Sequence, residues 1–225
     1  MKRIAIFASG SGSNAENIAN YFKDTEKNVE IPLILANNPE AYVLKRAKKL
    51  GIESVVVTNK EFREADKVLN ILKEHKIDFI VLAGFLLLVP AKLIEAYPRR
   101  IVNIHPALLP KHGGKGMYGD NVHKAVVASG DRESGITIHL IDKHYDRGTT
   151  FFQAKCPVLP GDTPHDVAEK VHALEYKHFP HIIEEILKKL DKHKNIRRKG
   201  THPYALKFNK TNKIHQSNHS TKKHG

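Results

Sequence analysis

Apolar runs and amphipathic stripes alternate along the first hundred residues. Residues 3–8 are a continuous apolar run and predict a strand, followed by a helix over 14–22 and a second strand over 31–36. A helical stretch over 40–50 stops at Gly51, and 54–57 predicts a third strand. Residues 61–75 place Phe62, Ala65, Val68, Leu69 and Leu72 on one stripe and predict a single amphipathic helix. A fourth strand over 79–83, a short helix over 91–97 and a fifth strand over 100–104 follow. Strands apolar on both faces, each followed by a helix, imply right-handed crossovers and a parallel sheet covered on both sides. Farther along, 135–141 and 151–158 are strand-like runs joined by a turn-rich stretch, which predicts an antiparallel pair. Residues 163–190 predict one or two helices, with Pro180 marking a break. The pattern gives an α/β fold: a three-layer α/β/α arrangement, Rossmann-like, around a mostly parallel open sheet of about seven strands.

Composition adds limits to this picture. A chain of 225 residues with 40% hydrophobic residues fits one domain of this class, with or without a tail. It opens directly into a strand with no secretory pattern, and its longest apolar run, 79–89, is too short to span a bilayer. The lone Cys156 excludes an intramolecular disulfide, reads as a small apolar strand residue, and fits a reducing cytoplasm by default. The net charge of +13 is uneven, because residues 191–225 hold ten Lys or Arg against Asp191 alone. A domain over 1–190 therefore carries a basic tail over 191–225, too poor in apolar residues to repay its chain entropy and expected to be disordered. That tail reads either as a solubilising extension or as an arm for RNA or another polyanion. Its histidines lack ligand-like spacing, so no metal site is expected.

The residues with chemistry fall where predicted strands end, which is where open parallel sheets bind ligands. In Asn103-Ile104-His105-Pro106, the amide and imidazole are two residues apart and leave the strand on the same face. Prolines 106 and 110 stop the strand and shape the loop after it. An amide donor beside an imidazole suits a carbonyl that must become an oxyanion. The turn Ser9-Gly10-Ser11-Gly12-Ser13-Asn14 lets backbone approach an anion at a helix start. It fits a sugar-phosphate monoester, a dinucleotide, or simply a capped tight turn. Against the dinucleotide, strand two is followed by Asn37 and Asn38 with no acidic residue. Asp146 lies between two predicted strands, near His139 in sequence, and reads as a turn aspartate or as a catalytic acid. Spacing alone does not bring it to His105.

With Gly10-Ser11-Gly12-Ser13-Asn14, Leu82-Ala83-Gly84-Phe85, Asn103 through Pro110, and Asp146-Arg147-Gly148 before Gln153-Ala154-Lys155, the chain resembles the phosphoribosylglycinamide formyltransferases, from about residue 2 to about residue 188. The resemblance implies the formyltransferase version of the Rossmann-like fold and one reaction. The amine of glycinamide ribonucleotide attacks the formyl carbon of the co-substrate 10-formyltetrahydrofolate, as in de novo purine biosynthesis. It implies that Asn103 holds the formyl oxygen, that protonated His105 stabilises the oxyanion and donates a proton, and that Asp146 keeps His105 charged and takes up the amine proton. Gly12, Ser13 and Asn14 would hold the nucleotide phosphate, and Glu175 the ribose hydroxyls. Arg63 would meet the folate tail carboxylate, while Leu86, Leu87, Leu88, Val89 and Asn103 line the pterin. No metal is implied, and no membrane partner. On sequence alone Glu175 is a helix-surface acid and Leu86 to Val89 is core packing.

The chain also departs from the family pattern. Many relatives carry Met-Arg at Leu86-Leu87, which removes any contact from that arginine. The glycine-rich loop 111–119 differs from the better-known form and predicts a mobile lid. The tail has no family counterpart. Rival readings are a methionyl-tRNA formyltransferase, which needs a folded C-terminal domain for tRNA, and a sugar-nucleotide formyltransferase, expected to lack this phosphate turn. A formyltetrahydrofolate hydrolase, which carries an N-terminal regulatory domain, and a non-catalytic RNA-binding protein acting through the tail complete the set. The oligomeric state stays open.

Overall fold

A computed structural model describes residues 1–23, 28–142, 146 and 148–198, the last seven of these by their backbone alone. The elements run β1 (Lys2–Ala8), α1 (Ser13–Tyr21), β2 (Val29–Ala36), α2 (Val43–Leu50), β3 (Glu53–Val56), α3 (Asn59–Glu64), α4 (Asp66–Glu74), β4 (Phe79–Leu82), α5 (Ala91–Ala96), β5 (Ile101–His105), α6 (Asp120–Ala128), β6 (Glu133–Leu140), β7 (Thr149–Pro157) and α7 (Pro164–Arg198). They build one seven-stranded sheet in the order β3-β2-β1-β4-β5-β6-β7. The strands from β1 to β5 pair in parallel, and β6 and β7 close one edge antiparallel. The three-layer, mostly parallel α/β fold read from the pattern is the one observed.

Alternation along the strands explains the layers. Ala5 and Phe7 of β1, Leu33 and Leu35 of β2, and Ile80 and Leu82 of β4 pack with Phe62, Val68, Leu72 and Leu93 from α3, α4 and α5. Their neighbours Ile4, Ile6, Ile34 and Val81 point the other way and are equally buried. On that second face α7 docks beside α1 through Asn14–Glu175 and Asn17–Tyr176 hydrogen bonds. The strand order reverses between β1 and β4, which leaves a crevice at their carboxyl ends.

The structure corrects two local expectations and adds one helix. The stripe over 61–75 is two helices, because Ala65 takes a left-handed φ of 66° between α3 and α4. Phe62, Val68 and Leu72 still reach the same core, so a one-residue kink leaves the periodicity intact. Pro180 does not break α7. Proline lacks the N–H that Tyr176 O would accept, and Asn17 Nδ2 donates to that carbonyl instead, at 3.0 Å. Helix α6 was not anticipated; its buried stripe is only Val122, His123 and Val126, in a glycine-rich neighbourhood.

Two compact units divide the chain, Met1–Leu187 and Lys188–Gly225. Helix α7 continues past residue 190, and the basic tail beyond it, 199–225, lies outside the described residues. Among the described residues no helix is long and apolar enough to cross a membrane.

Candidate active site

The crevice is a cleft of about 570 Å³ bounded by the turn after β1, the loop after β4, the end of β5, the loop 114–119, β6 and α7. At one end lies the β1–α1 turn. Gly12 caps α1 with a φ of 73°, and a β-carbon there would sit 2.3 Å from Val43 Cγ2. Both the dihedral and the contact demand glycine. The first helical hydrogen bond runs from Glu16 N to Gly12 O, so the amides of Ser13, Asn14 and Ala15 precede it. The turn is anchored from outside: Val43 N donates to Gly10 O and Arg46 Nε to Ser11 O. Ser9 Oγ donates to Asn37 Oδ1 and accepts from Leu86 N, which locks three strand-end loops together. Asn37, at the position where a dinucleotide site wants an acid, is thereby committed to structure.

Across from this turn, Asn14 Nδ2 donates to Glu175 Oε2 at 2.8 Å, over 161 residues of chain. Glu175 is only 6% exposed, and burial raises its pKa, opposed by the Asn14 hydrogen bond and by His172. It is therefore a cleft residue, in contrast to the helix-surface acid of the sequence-only reading. His123 of α6 faces the same end, its ring centroid 6.2 Å from that of His172. Burial, with His172 adding to it, lowers the His123 pKa to about 4, so its ring is neutral. Neither His123 Nδ1 nor Asn14 Oδ1 finds a hydrogen-bond partner among the described residues.

The other end gathers Asn103, His105 and Asp146. Antiparallel register sets Asn103 opposite His139 and His105 opposite Thr137. Asn103 Nδ2 donates to His139 Nε2 at 3.2 Å, which turns the amide nitrogen inward and leaves its second hydrogen for a ligand. Burial lowers the His139 pKa, with Asp146 opposing, so the neutral ring accepts this bond. Asp146 Oδ1 comes to 3.5 Å from His105 Nδ1 and 3.7 Å from His139 Nε2, while its Oδ2 accepts from Gly114 N at 2.9 Å. The φ of 52° at Asp146 is one that aspartate tolerates better than most residues. His105 is 3% exposed, and desolvation outweighs the Asp146 charge and lowers its pKa. At rest the imidazole is thus biased to neutral, with a carboxylate placed to stabilise any proton that arrives.

Between the ends, Phe85 rests on Phe7 and Phe62 while Leu86 and Leu88 stand 47% and 42% exposed beside the cleft. Leu87 packs on the core and Val89 is buried. Every sequence-predicted site residue lines this one cleft except Arg63. Arg63 is exposed on α3, next to Phe62, whose ring lies 4.8 Å from that of Phe85. His123, His139 and His172 line the cleft without having been assigned a role from sequence. For His139 a signal existed, a polar residue inside an apolar strand; for the other two there was none.

A family profile described as formyl transferase matches residues 2–183. The chain is 38% identical over 190 residues to the phosphoribosylglycinamide formyltransferase, chloroplastic, of Arabidopsis thaliana, covering 82% of this chain and 65% of that one. It thus spans a little under two thirds of that plant relative. The crystal structure of phosphoribosylglycinamide formyltransferase from Streptococcus pneumoniae TIGR4 superposes with a TM-score of 0.74 at 37% identity, covering 83% of this chain and 99% of that chain. The enzyme of the same name from Bacillus halodurans superposes with a TM-score of 0.77 at 36% identity, covering 84% and 97%.

Proposed function

The chain belongs to the formyl transferase family, and within it to the phosphoribosylglycinamide formyltransferases; from that premise we propose that it transfers a formyl group from 10-formyltetrahydrofolate to the amine of glycinamide ribonucleotide, in purine biosynthesis. The observation that carries the reading is the approach of Asp146 Oδ1 to 3.5 Å from His105 Nδ1. The amine nitrogen attacks the formyl carbon, the C=O π pair moves to oxygen, and Asn103 Nδ2–H and the protonated His105 stabilise the oxyanion. Asp146 takes the proton that the attacking nitrogen must lose and passes it to the neutral His105, which becomes the protonated ring. When C=O re-forms, the bond from carbon to the folate nitrogen breaks and that nitrogen takes the proton of His105. That transfer leaves His105 neutral and Asp146 ionised, as at rest, so no external acid or base is consumed.

The binding roles follow the same division of the cleft. The amides at the start of α1, with Ser13 and Asn14, suit a phosphate monoester. Glu175 suits the ribose hydroxyls, and exposed Leu86 and Leu88 suit a flat pterin. Arg63 would reach only the solvent end of a folate, its tail carboxylate. The cytoplasm, a reducing compartment, is proposed for this chain with its single thiol. The test is direct: the purified chain, mixed with both substrates, should convert the folate cofactor, seen by absorbance, and yield formylated nucleotide, seen by mass. Absence of product with glycinamide ribonucleotide, together with turnover of methionyl-tRNA or an amino-sugar nucleotide, would overturn the acceptor.

A further inference from the structure

His105 has a second neighbour besides Asp146. Its Nε2 lies 2.8 Å from the backbone oxygen of His112. A carbonyl oxygen only accepts, so Nε2 carries a hydrogen, and the lone pair of the neutral ring falls on Nδ1, the nitrogen that faces Asp146. The His112 carbonyl is held in place from three sides. The residue has a left-handed φ of 51°. Its own Nε2 is 2.7 Å from Asp131 Oδ2, and Lys111 Nζ bonds the other oxygen of that carboxylate at 3.0 Å. Gly113, next in the chain, is wedged so closely that a β-carbon would meet Leu109 Cδ2 at 2.5 Å. The His112 and Asp131 side chains are 15% and 18% exposed, so the pair is mostly shielded from water.

We infer that His112 is a positioning residue for His105: anchored by Asp131, it holds the imidazole proton on Nε2 and makes Nδ1 the nitrogen that works on the formyl group. The inference rests on the proposed function and adds the working atom to it. At 3.5 Å the Nδ1–carboxylate separation exceeds a direct N–H···O bond, so Nδ1, once protonated, is not committed to the carboxylate and can donate to the formyl oxygen while keeping the carboxylate's electrostatic support. The proton that Asp146 takes from the amine then passes to Nδ1, the atom that delivers it to the folate nitrogen. The bond to His112 O also favours the charged ring, against desolvation and the charge of His112. The other titratable groups around His105 are Asp146, His139 and His123.

The test uses ¹⁵N-histidine NMR on the full chain, which reads the tautomer without substrate, alongside the pH profile of kcat. The wild-type chain should show His105 with hydrogen on Nε2. Asp131→Ala and His112→Ala should give a mixed tautomer, a limb of the profile moved to lower pH, and a kcat lower by about tenfold, the scale of one hydrogen bond. KM for the nucleotide should hold. His112→Gln, whose Nε2 reaches about where the imidazole Nε2 stands and can still donate to Asp131, should restore the tautomer. A clasp that only stiffened the loop would lower Tm and leave tautomer and limb in place; that result, or an Nδ1–H tautomer in the wild type, overturns the inference. If His112→Ala does not fold, Asp131→Ala carries the test. A chain that fails to formylate glycinamide ribonucleotide yet keeps the Nε2–H tautomer counts against the proposed function alone.

Discussion

The two ends of the cleft are built in different ways. The β1–α1 turn is a contiguous stretch, Ser9 to Asn14, stiffened by packing against α2 and by the Ser9 hydrogen bonds. The end proposed to be catalytic is assembled from β5, β6 and the segment before β7, with Asn103, His105, His139 and Asp146 meeting across long chain separations. Its loop carries left-handed residues at His112, Gly114, Gly116 and Gly119. On the proposed reading, affinity at the first end follows from local chain geometry. On the same reading, reactivity at the second follows from register and from one carboxylate that must arrive from elsewhere. Perturbations at the two ends should therefore separate binding from chemistry.

The sharpest separation is expected from Asp146→Asn. Steady-state kinetics should show kcat down by on the order of 10²–10³, the usual scale for losing charge stabilisation, while calorimetry shows nucleotide affinity nearly unchanged. A near-normal kcat would remove the acid from the mechanism.

Acid should act on both ends at once. His123 is depressed to about 4, and His105 and His139 are also lowered. A histidine depressed on folding contributes stability above its unfolded value, and that contribution fades as pH falls. For His123 alone the loss from pH 6.5 to 4 amounts to about 3 kcal/mol. Urea melts across that window should show it, and His123→Leu should flatten the decline.

Gly12→Ala attacks the other end. It forces a β-carbon to within 2.3 Å of Val43 Cγ2 at a φ of 73°. A loss of about 1–3 kcal/mol in urea melts is expected, with a raised nucleotide KM and little change in kcat. A variant as stable as wild type would mean that α2 yields easily. The smallest effect is expected from removing 199–225, which should leave kcat and Tm unchanged; a fall in either would give the tail a part in the fold or the reaction.

The same contrast governs what the sequence reveals. The glycine turn and the Asn103–His105 spacing are local, so periodicity and motif place them. His139 meets Asn103 through the β5–β6 register, which no spacing reports. Asp146 needed the family resemblance, since 41 residues separate it from His105. The stripe through Phe62, Val68 and Leu72 reads correctly as buried but hides the turn at Ala65. Pro180 reads as a break because its substitute donor, Asn17, lies 163 residues earlier.

That substitution reaches further than the helix it preserves. If α7 slid along α1 by a turn, Asn17 would leave Tyr176 O, and this exposed carbonyl, lacking a helical N–H, would turn to water. The defect therefore gives the two helices one alignment at which the carbonyl keeps a protein donor. One turn away on the same pair, that alignment sets Glu175 against Asn14. On the proposed reading, the donor that stands in for the proline's missing hydrogen helps set the span between a phosphate on the glycine turn and a sugar reaching Glu175.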